Sequence, residues 1–256
     1  MRRETFPVTG PLRLDLKVPA GSVEIEAVET DEAVVELEPL RNGDNAVEEA
    51  RVELRGDELR VEVRDRRSAE VRLRVVAPEG SALRSATASA DVSARGPLGD
   101  ADLKTASGDL HLAHVAALRI KAASGDVTVE RVDGEARMQI ASGDVELAGV
   151  GGGAEIASAS GDVHVGEADA GLKVQTASGD QRIDSVTAGR VELTSASGDV
   201  RVGIRRGSGV WIDVRSASGD VESELEVGDE PADEDGPRVD LRVITMSGDV
   251  ELVRAS

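Results

Sequence analysis

Cysteine is absent from this 256-residue chain, which excludes disulfides, thiolate catalysis and cysteine-bound metal. Aromatic residues are nearly absent: Phe6 and Trp211 are the whole set, with no tyrosine. Compact interface hot spots favour Trp and Tyr, and single-stranded nucleic acid is held by stacking on rings. Most of this surface can do neither, so recognition must be polar or aliphatic. No run of 18 apolar residues occurs, which predicts no membrane-spanning helix. The start, Met1-Arg2-Arg3-Glu4-Thr5-Phe6-Pro7, lacks the apolar stretch of an export signal. The expectation is a cytoplasmic protein, with the cell surface as the alternative. Positive charge is also scarce: 30 Lys and Arg face 50 Asp and Glu, a net charge of −20. That argues against nucleic acid as a partner, because binding its phosphates needs a basic face.

What the chain has in abundance is one tripeptide. Ser-Gly-Asp begins at Ser107, Ser124, Ser142, Ser160, Ser178, Ser197, Ser218 and Ser247, in steps of 17, 18, 18, 18, 19, 21 and 29. A degenerate copy, Ser89-Ala90-Asp91, lies 18 residues before the first. A short fixed period means one small unit stacked many times.

With each Ser counted as zero, position −4 is apolar in every copy: Leu103, Ile120, Met138, Ile156, Val174, Leu193, Val214 and Val243. Position +3 is Leu or Val except at Gln181, and +5 is apolar except at Ser223. Polar residues stand between them, as at +4: His111, Thr128, Glu146, His164, Arg182, Arg201, Glu222 and Glu251. Such alternation marks half-buried strands, and β-branched Val suits their pleated surface. It breaks across Ser-Gly-Asp and again between +5 and +8, so each unit turns two corners. Small residues at −1 and −2 imply little room beside the first corner.

A unit of about 18 residues cannot bury a core alone, but it can by pairing in parallel with its equivalent one rung on. The expected fold is all-β, a parallel β-solenoid of about 18 residues per rung with a β-rich N-terminal cap. The cap is expected over 1–85 and the repeats over 86–256. Within the cap, strands are predicted at 12–18, 22–28, 33–37, 51–54, 59–63 and 71–76, with a hairpin turn at Arg55-Gly56-Asp57-Glu58 and a helical turn at 44–50. An acidic Gly/Pro-rich loop is expected at 226–238. The last repeat, Met246 to Val253, is read as an open terminal rung.

The stacked carboxylates are the sharpest chemical candidate: Asp109, Asp126, Asp144, Asp162, Asp180, Asp199, Asp220 and Asp249. Neighbours one rung apart would repel by roughly 0.8 kcal/mol in water. The favoured reading is that each accepts hydrogen bonds in its own and the adjacent turn. The alternative is a calcium ladder, which calorimetric titration of chelator-treated protein tests, since calcium wants six to eight oxygens. No other cofactor is expected. His111, His114 and His164 read as exposed strand residues. Paired carboxylates abound, yet the rings that commonly line sugar grooves are missing. Ser is abundant without a Gly-x-Ser-x-Gly elbow. Gly149-Val150-Gly151-Gly152-Gly153 lacks the Lys-Ser/Thr ending of a phosphate loop and reads as a corner. Neither an enzyme nor a small-molecule substrate is expected.

The segments Thr105-Ala106-Ser107-Gly108-Asp109-Leu110-His111-Leu112 and Ala122-Ala123-Ser124-Gly125-Asp126-Val127-Thr128-Val129 share a pattern with Ser195-Ala196-Ser197-Gly198-Asp199-Val200-Arg201-Val202. With the leader Leu16-Lys17-Val18-Pro19-Ala20-Gly21-Ser22-Val23-Glu24-Ile25, the chain resembles the bacterial β-strand-repeat family of unknown function labelled "putative adhesin". The resemblance covers nearly the whole chain and implies the fold, without implying catalytic residues. The function expected is a non-catalytic scaffold or protein-interaction module, self-associating through its open C-terminal rung. A secreted or surface adhesin and an acidic DNA mimic that binds a basic protein are the alternatives.

Overall fold

The alternation becomes strand in every repeat. The computed structural model describes residues 1–64, 69–225 and 236–255. The chain divides into two compact units, Met1–Val129 and Glu130–Ser256.

The first unit holds β1 (Arg2–Pro7), β2 (Arg13–Val28), β3 (Glu32–Pro39), α1 (Asp44–Glu48), β4 (Arg51–Arg55), β5 (Glu58–Glu62), β6 (Val71–Pro78), β7 (Ala82–Leu98), β8 (Ala101–Ser107), β9 (Leu110–Val115) and β10 (Leu118–Ser124). At its end begins β11 (Val127–Val132). Stacking is parallel and in register, with Leu118 on Ala101, Ala101 on Leu83, and Leu110 on Val92. It reaches back beyond the first Ser-Gly-Asp. β2 pairs in parallel with β7 from Arg13–Ala82 to Glu26–Arg95. Its other edge pairs in parallel with β5 and β6. The order in space is therefore β5 and β6, then β2, then β7. Antiparallel strands cover the outermost edges: β4 lies on β5, β3 on β6 and β1 on β3. The Arg55–Glu58 turn forms as expected, with Gly56 at φ +62°. The predicted helical turn is α1, which buries Ala46 and Val47. Covering the edges matters because a bare strand edge invites foreign pairing.

The second unit holds β12 (Ala136–Ser142), β13 (Val145–Val150), β14 (Ala154–Ser160), β15 (Val163–Ala168), β16 (Leu172–Ser178), β17 (Gln181–Val186), β18 (Gly189–Ser197), β19 (Val200–Ile204), β20 (Gly209–Ser216), β21 (Val221–Ser223), β22 (Arg238–Thr245) and β23 (Val250–Arg254). Ala136 pairs with Ala154, Ala154 with Leu172, and Leu172 with Val191, all in parallel. The second strand of each rung follows suit: Val145, Val163, Gln181 and Val200 stack in one column. Met138, Ile156, Val174 and Leu193 at −4 are at most 1% exposed. Each such burial contributes about 1.5–3 kcal/mol, and no isolated rung could obtain it. The second break in the alternation is real: Val165 and Ala168, like Ile183 and Val186, are both buried although an odd step separates them.

The order of the last rungs differs from the expectation. β18 pairs with β22, and β22 with β20. Likewise β19 pairs with β23, and β23 with β21. The chain's last repeat is thus inserted between rung 189–204 and rung 209–223, and both of its edges are paired. Among the described residues the open rung is 209–223, and the reading of Met246 to Val253 as the open end is corrected. That reading assumed that rungs stack in chain order. The long interval between Ser218 and Ser247 is what lets the chain cross back. Most of the expected acidic loop, 226–235, lies outside the described residues.

Glycine at each corner is demanded twice over. Gly161, Gly179 and Gly198 lie at φ +115°, +122° and +130°, where side chains are strained. A Cβ on Gly161 would also collide with the carbonyl oxygen of Gly143, and one on Gly179 with that of Gly161.

Candidate protein-interaction edge

In a parallel pair, alternate residues turn their backbone groups toward the partner and the rest turn them away. The Gly209 N–H donates to Pro237 O (2.9 Å) and the Ala217 N–H to Thr245 O (3.2 Å), so odd-numbered residues of β20 face β22. The N–H and C=O groups of Val210, Ile212, Val214 and Ser216 therefore face outward. On β21 the Glu224 N–H donates to Leu252 O (2.9 Å), which turns Val221 and Ser223 outward by the same rule. Among the described residues, β20 and β21 have no strand on this outer edge.

The core ends here as well. Ile212 tops a column in which Leu241 and Val191 are 0% exposed, yet Ile212 itself is 39% exposed. Val221 is 50% exposed above Val250 and Val200, each 1% exposed. The outer face beside this edge carries Trp211, the sole tryptophan, which is 60% exposed. Trp211 walls a groove of about 810 Å³, where two rows cross the strands: Arg190, Asp240 and Trp211, then Glu192, Arg242 and Asp213. Arg190 lies 3.5 Å from Asp240, and Arg215 lies 3.1 Å from Asp213. Such exposed pairs contribute about 0–1 kcal/mol each, so they pattern the surface more than they stabilise it.

The aspartates of the repeat form ladders. In the first unit the Asp109 N–H donates to Asp91 Oδ1 and the Asp126 N–H to Asp109 Oδ1, each at 3.0 Å. In the second, the N–H groups of Asp162, Asp180 and Asp199 donate to Oδ1 of Asp144, Asp162 and Asp180, each at 2.8 Å. The series continues with Asp249 on Asp199 (2.8 Å) and Asp220 on Asp249 (2.9 Å), the same exchanged order that the strands show. Each carboxylate is thus an acceptor for the next rung's corner. At these solvent-exposed corners such a bond contributes about 1 kcal/mol net, comparable with the roughly 0.8 kcal/mol of repulsion between neighbours along the column. Among the described residues, no group of three or more His, Asp or Glu is placed to hold a metal.

The histidines are spread out. His111 and His114 lie on β9, and His164 on β15. His164 Nε2 lies 2.8 Å from Asp184 Oδ2, and Arg182 Nε donates to Asp184 Oδ1 at 2.8 Å. Partial burial pushes the Asp184 carboxyl up, but the His164 and Arg182 hydrogen bonds together outweigh it and hold the group below the ordinary Asp range. The glycines at 151–153 form a turn pressed on the preceding one: a Cβ at Gly151 would lie 2.5 Å from Asp133 O. One polar group in the core was visible only as an exception. Gln181 is 1% exposed, and its Nε2 donates to Thr176 Oγ1 (2.8 Å) and Thr194 O (2.9 Å).

Parallel rungs and glycine corners define a β-solenoid, with an unpaired outer edge on β20 and β21 among the described residues. The chain belongs to the Toastrack DUF4097 family, whose model matches residues 12–253. Among solved structures it is similar to a "putative adhesin" from Parabacteroides merdae ATCC 43184 (13% identity, 99% of this chain and 96% of that chain, TM-score 0.52). It is also similar to a "putative adhesin" from Bacteroides fragilis NCTC 9343 (11% identity, 98% and 96% covered, TM-score 0.49). A "putative lipid binding protein" from Parabacteroides distasonis ATCC 8503 matches at 14% identity (98% and 97% covered, TM-score 0.47). At such identities the first of these supports the fold alone. No curated protein matches the sequence. No helix among the described residues is long and apolar enough to cross a membrane, which says nothing of strands.

Proposed function

We propose that this protein is a non-catalytic interaction module that engages a protein partner by strand addition on β20 and β21. The observation that carries the reading is the outer edge of rung 209–223. It offers outward backbone donors and acceptors beside half-exposed core residues, while the first rung's edges are covered. Strand addition supplies affinity through backbone hydrogen bonds and specificity through alternate side chains. It needs few aromatic residues, which suits this composition.

Val214→Pro is the test. It removes an outward N–H and leaves the bonds to β22 intact, because the Val214 N–H does not point there. Wild-type and Val214→Pro protein are immobilised side by side in extract of the native cells. The reading requires a protein that the wild type retains and the variant loses. Identical capture by both defeats it. Fractionating the same cells places the partner inside the cell or at its surface.

A further inference from the structure

The charge pattern of the open edge specifies an occupant. We propose that a second copy of this chain docks there, with β20 pairing antiparallel to its own counterpart about a two-fold axis at Val214. This rests on the strand-addition reading above and adds the partner and the register. The outward groups on β20 belong to even-numbered residues, so a two-fold antiparallel pair must place even residues opposite even residues in its hydrogen-bonded positions. The centres along β20 differ in the charges they oppose. A centre at Arg215 sets two guanidiniums face to face, and one at Trp211 leaves both Asp213 and Arg215 without an opposite charge. A centre at Asp213 sets two carboxylates face to face. A centre at Ile212 sets Trp211 opposite Asp213 and leaves Arg215 without an opposite charge. The centre at Val214 sets Asp213 opposite Arg215 of the second copy, and Arg215 opposite its Asp213.

In that register the two hydrogen-bonded positions are Val214 with Val214 and Ile212 with Ser216. Asp213 and Arg215 occupy a non-hydrogen-bonded position, where opposite Cβ atoms lie closest, about 4.5–5.5 Å apart. Trp211 comes opposite Ala217, whose small side chain leaves room for the indole to lie flat. The exposed ends of the Ile212 and Val214 columns then cover each other. A closed pair is favoured over an open filament by the first unit. β3 and β4 already occupy the outer edges of β6 and β5, so among the described residues a head-to-tail contact meets the antiparallel strands β1 and β4 in place of a parallel rung edge. Isologous pairing of one patch with itself is also the commonest closure among homo-oligomers.

The test is the oligomeric state of the whole chain by sedimentation, with Trp211 emission as a local readout. Wild type should be a dimer, with emission that shifts to the blue as concentration rises. Asp213→Arg and Arg215→Asp, each alone, place like charges opposite each other twice per dimer and should weaken dimerisation by about tenfold or more. The double exchange D213R/R215D should restore it, as should an equimolar mixture of the two single variants. The mixture rescue separates lost pairing from lost folding, and weakening by both single changes with restoration by the double exchange requires position 213 to face position 215. A wild type that stays monomeric at every concentration overturns the second copy as occupant. Strand addition then still stands or falls on the capture experiment with Val214→Pro. A dimer that Val214→Pro leaves intact, or a mixture that fails to recover, equally overturns the proposal.

Discussion

Replacing Gly179 with alanine should cost far more than replacing a glycine at an ordinary turn, and the difference measures how tightly the rungs stack. Gly179 lies at φ +122°, a region that costs a residue with a side chain about 1–3 kcal/mol. Its new Cβ would press on Gly161 O and lie 3.2 Å from Asp162 Oδ1. Relief requires the corner to move off the preceding rung, which stretches the bond from the Asp180 N–H to Asp162 Oδ1, now 2.8 Å. Water reaches that corner, so the lost bond adds only about 1 kcal/mol. The expected total is about 2–4 kcal/mol. Two internal controls bracket it. Gly56 sits at φ +62°, and a methyl added there would meet nothing within 4 Å, so alanine should cost about 1–2 kcal/mol for the left-handed backbone alone. Gly10 has open space and no positive φ, so alanine should change stability by less than about 0.5 kcal/mol. Urea unfolding of the three variants gives the ranking. The chain carries its own route to refutation. Ala90 occupies the equivalent position in the degenerate repeat, at no positive φ, within the unbroken strand β7. If Gly179→Ala costs no more than Gly56→Ala, the corner can adopt the Ala90 geometry, and the claim that stacking dictates glycine is wrong.

The period and the apolar positions made the rung legible before any coordinates, because side-chain alternation is a local property that burial enforces on every copy. The two corners were legible for the same reason. The small residues beside the first corner meant something narrower than expected. Position −2 is the buried one, as at Ser195 and Thr245, each 2% exposed, whereas Met246 at −1 is 65% exposed. Gln181 broke the pattern at +3 and turned out to lie in the core, where Thr176 at −2 of the same repeat supplies its partner. That pairing of a polar exception with a polar neighbour was readable in principle. The order of the rungs was not. β2 and β22–β23 insert between rungs that are nearer each other in sequence, and any rung of this repeat can pair with any other, because all present the same columns. Only the long intervals hinted at the exchange, and the identity of the open edge, with Trp211 beside it, depends on it entirely.

Asp162→Ala should cost about 0.5–1.5 kcal/mol by leaving the Asp180 amide to water, while Asp162→Asn keeps the acceptor, removes a repelling charge and should be neutral within about 0.5 kcal/mol. Thermal melts at low and high salt separate the two effects. Asp184 is held below its unfolded value near 3.9, so the stability it contributes is present above that pH and is lost as pH falls through its lower folded value. Asp184→Asn should therefore be less stable than wild type at neutral pH, by at most about 1 kcal/mol at this exposed site, and the gap should close in acid; a gap that persists at pH 2 contradicts the ion-pair account. Gln181→Leu removes a buried Oε1 that has no partner and takes one bond from Thr176 Oγ1, which keeps its bond to Ser195 Oγ (3.3 Å), so alone it should be near neutral; Thr176→Val costs most while Gln181 is in place, so the double change should be less destabilising than the two single changes added. The exchanged rung order makes the sharpest demand. In a solenoid stacked in chain order, deleting residues 238–256 would remove one terminal rung and leave the rest seated. Here β22 and β23 lie between β18–β19 and β20–β21, so the same deletion takes away the strands on which, among the described residues, β20 and β21 rest. Rung 209–223 should then detach although none of its residues is altered, with Trp211 emission shifting to that of a free indole and protease cutting after Arg205 and Arg215. A truncated protein that keeps the wild-type emission and resists cleavage there would show that 209–223 stacks directly on 189–204, and the open edge would have to be sought elsewhere.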